Sequence, residues 1–273
     1  MLTKVEVRTP TGMLLTLPLD DASEGFVVAD IDGLDPVKAT LVSSSFALLD
    51  GAQYQSSRLE PRNILLTIGL EPDYVTTSVR DLRLTLYDYF LPKSLVSLRF
   101  FLSDGLTVDI TGYVESFNAE LFTRDPQAIV SLMCFDPDFV ELTPIVIEGD
   151  TVSDTTETLV SYPGTAPAGM KFVLSVDRTL TEFTIYHRDP SDNLHLIDVS
   201  AALEADDVVT INTNDGLKSM LLVRDSVESS ILYGMNRPSE WLNFTKGDNH
   251  IRFYAIGAAI PYTVEYTPRH GGL

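Results

Sequence analysis

Along most of the chain hydrophobic residues recur at every second position, the period of a strand with one face turned inward. In the first half this pattern marks "KVEVRT" and "GMLLTLPL", separated by Pro10 and Gly12, and "VKATLV", which follows the Asp-Gly and Asp-Pro turns of "GFVVADIDGLDP". Asp50-Gly51 marks a loop tip in "SSSFALLDGAQYQSSRLEPRNILLTIGLEP". Arg62, Ile64, Leu66 and Ile68 then alternate, so the stretch reads as a long hairpin.

The period changes once. From Ser78 to Lys93, Val79, Leu82, Leu86 and Phe90 are spaced by three or four, which predicts one apolar helix face. Ser78 is a candidate N-cap with Asp81 three residues later, and Pro92 marks the stop, giving a helix of about four turns. Strands resume in "SLVSLRFFL", "GLTVDITGYVESFNAELF" and "QAIVSLMCFDPDF". One helix among about eight strands predicts an α+β first domain.

The Asp- and Pro-rich "DPDFVELTP" places a boundary between domains 1–138 and 139–273. Beyond it come strand-like runs at roughly ten-residue spacing, "SILYG", "EWLNF" and "NHIRFYA" among them, as in a β-sandwich. A helical turn is expected at "SAALEADD". The stretch "SEWLNFTKGDNHIRF" holds the single tryptophan. Leu242 and Phe244 share one face by period two, as do Ile251 and Phe253, and Trp241 and Asn243 lie opposite. With Gly247, Asp248 and Asn249 as its turn, it reads as a hairpin whose aromatics fill a core; a tryptophan on a sandwich can also stack on a sugar ring.

Composition adds limits. With 44% hydrophobic and 21% charged residues the 273-residue chain is a folded protein. The net charge of −20, carried by both halves, argues against specific nucleic-acid binding. One cysteine, Cys134, excludes an internal disulfide and reads as a small buried residue. The first residues lack a signal-peptide core and no run of about 18 apolar residues exists. The expectation is no membrane insertion and a cytosol-like site of synthesis.

Little points to catalysis. His187, His195, His250 and His270 show no metal-ligand spacing, and the polar turn between His187 and His195 predicts that both are solvated. Asp30, Asp32 and Asp35 lack the remaining ligands of a calcium loop and read as turn residues. No nucleophile elbow or phosphate-binding glycine loop is present. No catalytic residue, metal or cofactor is expected, and the chain is not expected to be an enzyme.

Six stretches together carry a resemblance: "GLDPVKATLV"; "SSRLEPRNILLTI"; "VRDLRLTLYDYFLPK" leading into "SLVSLRF"; "CFDPDF"; "WLNFTKGDNHIRF"; and the final "YTVEYTPRHGGL". In this order the chain resembles the distal tail proteins of long-tailed (siphovirus-type) bacteriophages. The resemblance implies a mainly β protein: a belt-type split β-barrel domain with one helix and a long hairpin, then a galectin-like or carbohydrate-module-like β-sandwich with no inserted module. It implies a structural virion protein at the tail tip or baseplate, assembled in the host cytoplasm, whose homohexameric ring leaves a channel for DNA. Partners implied are the tail tube protein and the tail-tip hub or tail-associated protein, with the tape measure and receptor-binding proteins as further candidates. Within that ring the hairpin residues Tyr54, Arg58 and Arg62 are expected at subunit boundaries, the arginines paired with a neighbour's carboxylates, and acidic residues are expected to face the lumen. The alternative is a carbohydrate-binding module that attaches to host-cell glycans through Trp241.

Overall fold

The computed structural model describes residues 1–19, 24–46, 50–120 and 123–273. The chain divides into two compact units, Met1–Leu142 with Gly271–Leu273 and Thr143–His270.

In the first unit the strands are β1 (Leu2–Arg8), β2 (Leu14–Pro18), β3 (Phe26–Asp32), β4 (Ala39–Ser44), β5 (Gln53–Leu59), β6 (Arg62–Leu70), β7 (Leu95–Leu102), β8 (Thr107–Ala119), β9 (Gln127–Cys134) and β10 (Phe139–Glu141). Among the described residues of this unit there is one helix, α1 (Val79–Phe90), between β6 and β7. The main sheet runs β2-β1-β7-β8-β9-β6-β3, with β10 pairing β8. Among the described residues β2 and β3, its two ends, are not hydrogen-bonded to each other, so the sheet does not close. The alternation read in "RNILLTI" is real: Arg62, Ile64, Leu66 and Ile68 are all buried. Leu82, Leu86 and Phe90 of α1 join Ile64, Leu66 and Ile68 in one core cluster.

The helix begins and ends where local chemistry places it. The Ser78 side chain accepts from the Asp81 N–H, and the Asp81 carboxylate accepts in return from the Ser78 N–H, a capping box that satisfies two orphan donors. The Ser78 hydroxyl also donates to the Asp81 carboxylate at 2.7 Å, and this bond, with that from the Ser78 N–H, holds the Asp81 carboxyl below its ordinary range. At the other end Leu91 precedes Pro92 and is extended, with ψ 138°, because the proline ring disfavours a helical residue before it. The helix is twelve residues long, about three turns where about four were expected.

The expected long hairpin is shorter than its sequence pattern. β4 pairs with β5, but β6 leaves them to enter the main sheet between β3 and β9. Residues 47–49 of that expected hairpin lie outside the described residues.

The second unit contains β11 (Ile145–Asp150), β12 (Thr158–Tyr162), β13 (Ala168–Gly169), β14 (Lys171–Ser175), β15 (Leu180–Arg188), β16 (Leu194–Leu203), β17 (Val208–Asn212), β18 (Ser219–Arg224), β19 (Val227–Ser230), β20 (Asn243–Phe244), β21 (Gly247–Tyr254) and β22 (Pro261–Tyr266). One sheet runs β11-β22-β14-β17-β18-β19 and the other β12-β21-β15-β16. Inward residues of both fall in one cluster, where Phe172 meets Phe253 edge-on at 5.3 Å and Phe253 stacks on Tyr262 at 4.4 Å. This is a sandwich.

Three local expectations for this unit are corrected. "SAALEADD" is not helical: β16 continues to Leu203, and the Asp207 carboxylate closes the following turn by accepting from the Glu204 N–H. "SILYG" is not a strand but ends in a 3₁₀ turn at Leu232–Gly234. "SEWLNFTKGDNHIRF" is not a hairpin, because β20 pairs with β13 whereas β21 pairs with β12 and β15. Asn249 explains the difference. It is buried within β21, and its amide donates to the Thr245 and Gly247 carbonyls at 2.8 and 2.9 Å, so the chain turns before the strand rather than at Asp248-Asn249.

Candidate functional site

Two places carry the residues singled out by sequence. The first is the β4–β5 ribbon. Among the described residues it pairs with no other strand, and all seven residues of β5 are exposed. Leu41, Val42, Tyr54 and Leu59 are large apolar side chains in solvent, Leu41 at 68% and Tyr54 at 61% exposure. An isolated two-stranded ribbon is marginal in water, and this one leaves these apolar side chains in solvent. Tyr54 donates from its hydroxyl to Ser57 at 2.8 Å, and Arg58 lies 3.9 Å from Glu60 of its own chain. Both point into solvent, where a neighbour could reach them.

Arg62, expected beside them, has a different fate. Only 1% of it is exposed. Its Nε donates to the Pro137 carbonyl at 2.6 Å, Nη1 to those of Gly33 and Asp35 at 2.5 and 2.7 Å, and Nη2 to that of Gly271 at 2.7 Å. The Phe139 ring lies 4.4 Å from the guanidinium carbon. Burial pulls its pKa down, yet an arginine stays charged because its ordinary value is so high. Its donors are spent on its own subunit, so the expected pairing of Arg62 with a neighbour's carboxylate is corrected. Gly33 makes the cage possible: its φ is +90°, and a Cβ there would stand 2.1 Å from the Asn63 carbonyl oxygen.

The second place surrounds Trp241. Hairpin pairing sets His187 opposite His195, and their rings stack with centroids 5.7 Å apart. The expectation that both are solvated fails for His187, which is 1% exposed. Phe183, Ile185 and His187 are buried in alternation along β15, a signal legible in the period-two pattern. The Asn249 amide nitrogen already serves two carbonyls, so its Oδ1 accepts from His187 Nε2 at 3.0 Å. That tautomer leaves His187 Nδ1 an acceptor with no partner. Burial lowers the His187 pKa and favours the neutral ring.

His195, half-buried, behaves oppositely. Its Nδ1 lies 2.5 Å from Glu240 and its Nε2 lies 3.5 Å from Asp189. The Glu240 hydrogen bond is the main cause of its raised pKa. Asp189 is pulled down to about 2, first by the Asn193 side chain, which donates to it at 2.9 Å. Trp241 is half-buried against the sandwich core, with Leu242 and Phe244 inward and Asn243 half-buried beside it, the face assignment that the sequence predicts. His187, Asp189, His195, Glu240, Trp241 and Asn243 are among the residues that line a cavity of about 310 Å³.

Residues 163–270 match the model of the siphovirus-type tail component, C-terminal domain. The match lies within the second unit. The distal-tail resemblance carried by the six stretches is thereby borne out. In fold, the whole chain is similar to the Dit protein of phage SPP1, described as a paradigm of the hub adsorption apparatus in phages infecting Gram-positive hosts. The TM-score is 0.68 at 15% identity over 97% of this chain and 98% of that one. A chain of the phage P2 baseplate in its activated, calcium-bound conformation aligns over 100% of both at a TM-score of 0.47 and 9% identity. No curated protein sequence matches the chain.

Proposed function

We propose that the chain is a structural distal tail protein of a phage virion, six copies of which close into a ring joining the tail tube to the baseplate or tail-tip hub. The observation that carries this reading is the β4–β5 ribbon, a strand pair that among the described residues pairs with no other strand and leaves its large apolar side chains exposed. A ribbon that packs on the next copy makes a heterologous contact, and such contacts close when each step rotates by about 60°. The tail component match and the SPP1 Dit-like fold support the same reading.

The ring would leave a channel for DNA, and the net charge of −20 per subunit suits a lumen to which DNA does not adhere. Its faces would meet the tail tube protein and the tail-tip hub, with the tape measure and receptor-binding proteins as further contacts. The sandwich would project as a galectin-like platform for host-recognition parts. In this role the protein is a scaffold and not an enzyme, assembled in the host cytoplasm and kept in the virion.

Solution mass tests the reading. A species near six times 30.1 kDa, alone or on addition of the tail tube protein, is expected. A subunit that stays monomeric in both conditions overturns it, and a lumen lined by Lys and Arg overturns the account of the charge.

A further inference from the structure

The cavity beside Trp241 has groups that a scaffold does not need. Asn243 makes no side-chain hydrogen bond among the described residues, nor does the Thr245 hydroxyl, and both line the cavity. Glu240 spends one oxygen on His195 and leaves the other free. Beneath them the buried His187, also in the lining, keeps an acceptor without a donor. Trp241 completes the wall.

The charge of these groups narrows the ligand. Two carboxyl side chains, Asp189 and Glu240, flank the one imidazole of His195, and no Lys or Arg lines the cavity, so the lining offers little to hold an anion. No cluster of three or more metal-ligating side chains occurs among the described residues. What remains is a compact set of neutral and charged hydrogen-bonding groups beside an indole, in a volume at the lower end of ligand pockets, which run roughly 300–1,000 Å³. An amide, a hydroxyl and a carboxylate oxygen can each exchange hydrogen bonds with a ligand hydroxyl, and the apolar face of a sugar ring suits an indole.

The geometry points to a saccharide site in the second unit: a cavity walled by Trp241 in which Glu240, Asn243 and Thr245 hydrogen-bond one neutral sugar residue. This goes beyond the ring reading and is independent of it, because every group belongs to one subunit's sandwich.

The single tryptophan is the probe. Titrate the full chain with glucose, galactose and N-acetylglucosamine, following Trp241 emission and, in parallel, saturation-transfer NMR on each sugar, which does not depend on a change in emission. Saturable binding in the millimolar range by at least one sugar is expected, weakened about tenfold or more in Asn243→Ala and in Glu240→Gln, both confirmed folded by their unfolding midpoints. Leu159→Ser, on an exposed position of β12, should leave binding unchanged. No saturable response by either method with any of the three sugars overturns the proposal, as does undiminished binding in both cavity variants. Neither result bears on the ring, which is read from solution mass.

Discussion

Arg58 and Arg62 stand four residues apart in the chain and on opposite sides of the protein's chemistry. Arg58 ends an exposed ribbon with 77% of its side chain in solvent and a loose contact to Glu60. Arg62 opens the next strand, fully enclosed, with four hydrogen bonds to four carbonyls. A surface arginine near one carboxylate contributes within about 0–1 kcal/mol, whereas a buried cation must have its whole donor set satisfied. The same residue type is therefore free for an interface in one case and committed to folding in the other.

The widest separation between the two is expected from truncation. Arg62→Ala leaves the carbonyls of Gly33, Asp35, Pro137 and Gly271 without their donor and opens a void beside Phe139, so the first unit should lose about 3–5 kcal/mol in denaturant unfolding. Arg58→Ala should change the same midpoint by within about 0.5 kcal/mol. Equal effects would break the contrast. Gly33→Ala attacks the cage from its backbone side, where φ is +90° and the Asn63 carbonyl leaves no room; a loss of about 2 kcal/mol or more is expected.

The ribbon should respond in the opposite sense. Replacing Leu41 and Leu59 together with serine removes apolar side chains that solvent already surrounds, so subunit stability should stay within about 0.5 kcal/mol. Ring assembly should fall, read by sedimentation as loss of the species near six subunit masses. A double variant that unfolds the subunit, or that assembles as the parent does, separates the ribbon from the interface.

What was legible in the sequence was what local physics controls. Ser78, Asp81 and Pro92 define the helix by contacts within a few residues, and the sandwich strands follow from period two. Arg62 was not legible as a core residue, because its partners lie 27, 29, 75 and 209 residues away and are carbonyls, which every residue has. Its inward phase with Ile64, Leu66 and Ile68 was on the page, but an arginine is by prior exposed. The turn at Thr245–Gly247 was hidden for a related reason: Asn249 looks like a turn residue in sequence and acts as one from inside a strand. The His187–His195 cluster combines both cases, since the pairing is a hairpin neighbour and Glu240 arrives from a distant segment.

The smallest effect sharpens the comparison in the second unit, where His187 and His195 repeat it across one hairpin. His195 has its pKa raised, so its contribution is fully present below the ordinary value of 6.5 and is lost as pH rises through the folded value. His187 has its pKa lowered, and its contribution is present above 6.5 and is lost as pH falls toward the folded value. The groups facing them are Asp189 from the turn, Glu240 from the segment before β20, Asn249 from β21, and each other. Asp189 already titrates near 2 and stays charged throughout this range. The sandwich should therefore be most stable near pH 6.5 and soften on either side, by a modest amount on the alkaline side because His195 is partly exposed and its pair is screened. NMR titration of the ring protons should show His195 cationic at a pH where His187 is still neutral, with Glu240→Gln moving His195 back toward 6.5 and leaving His187 below it. If the two rings titrate together, or if Glu240→Gln leaves His195 unmoved, burial and ion pairing do not separate this pair as they separate the two arginines.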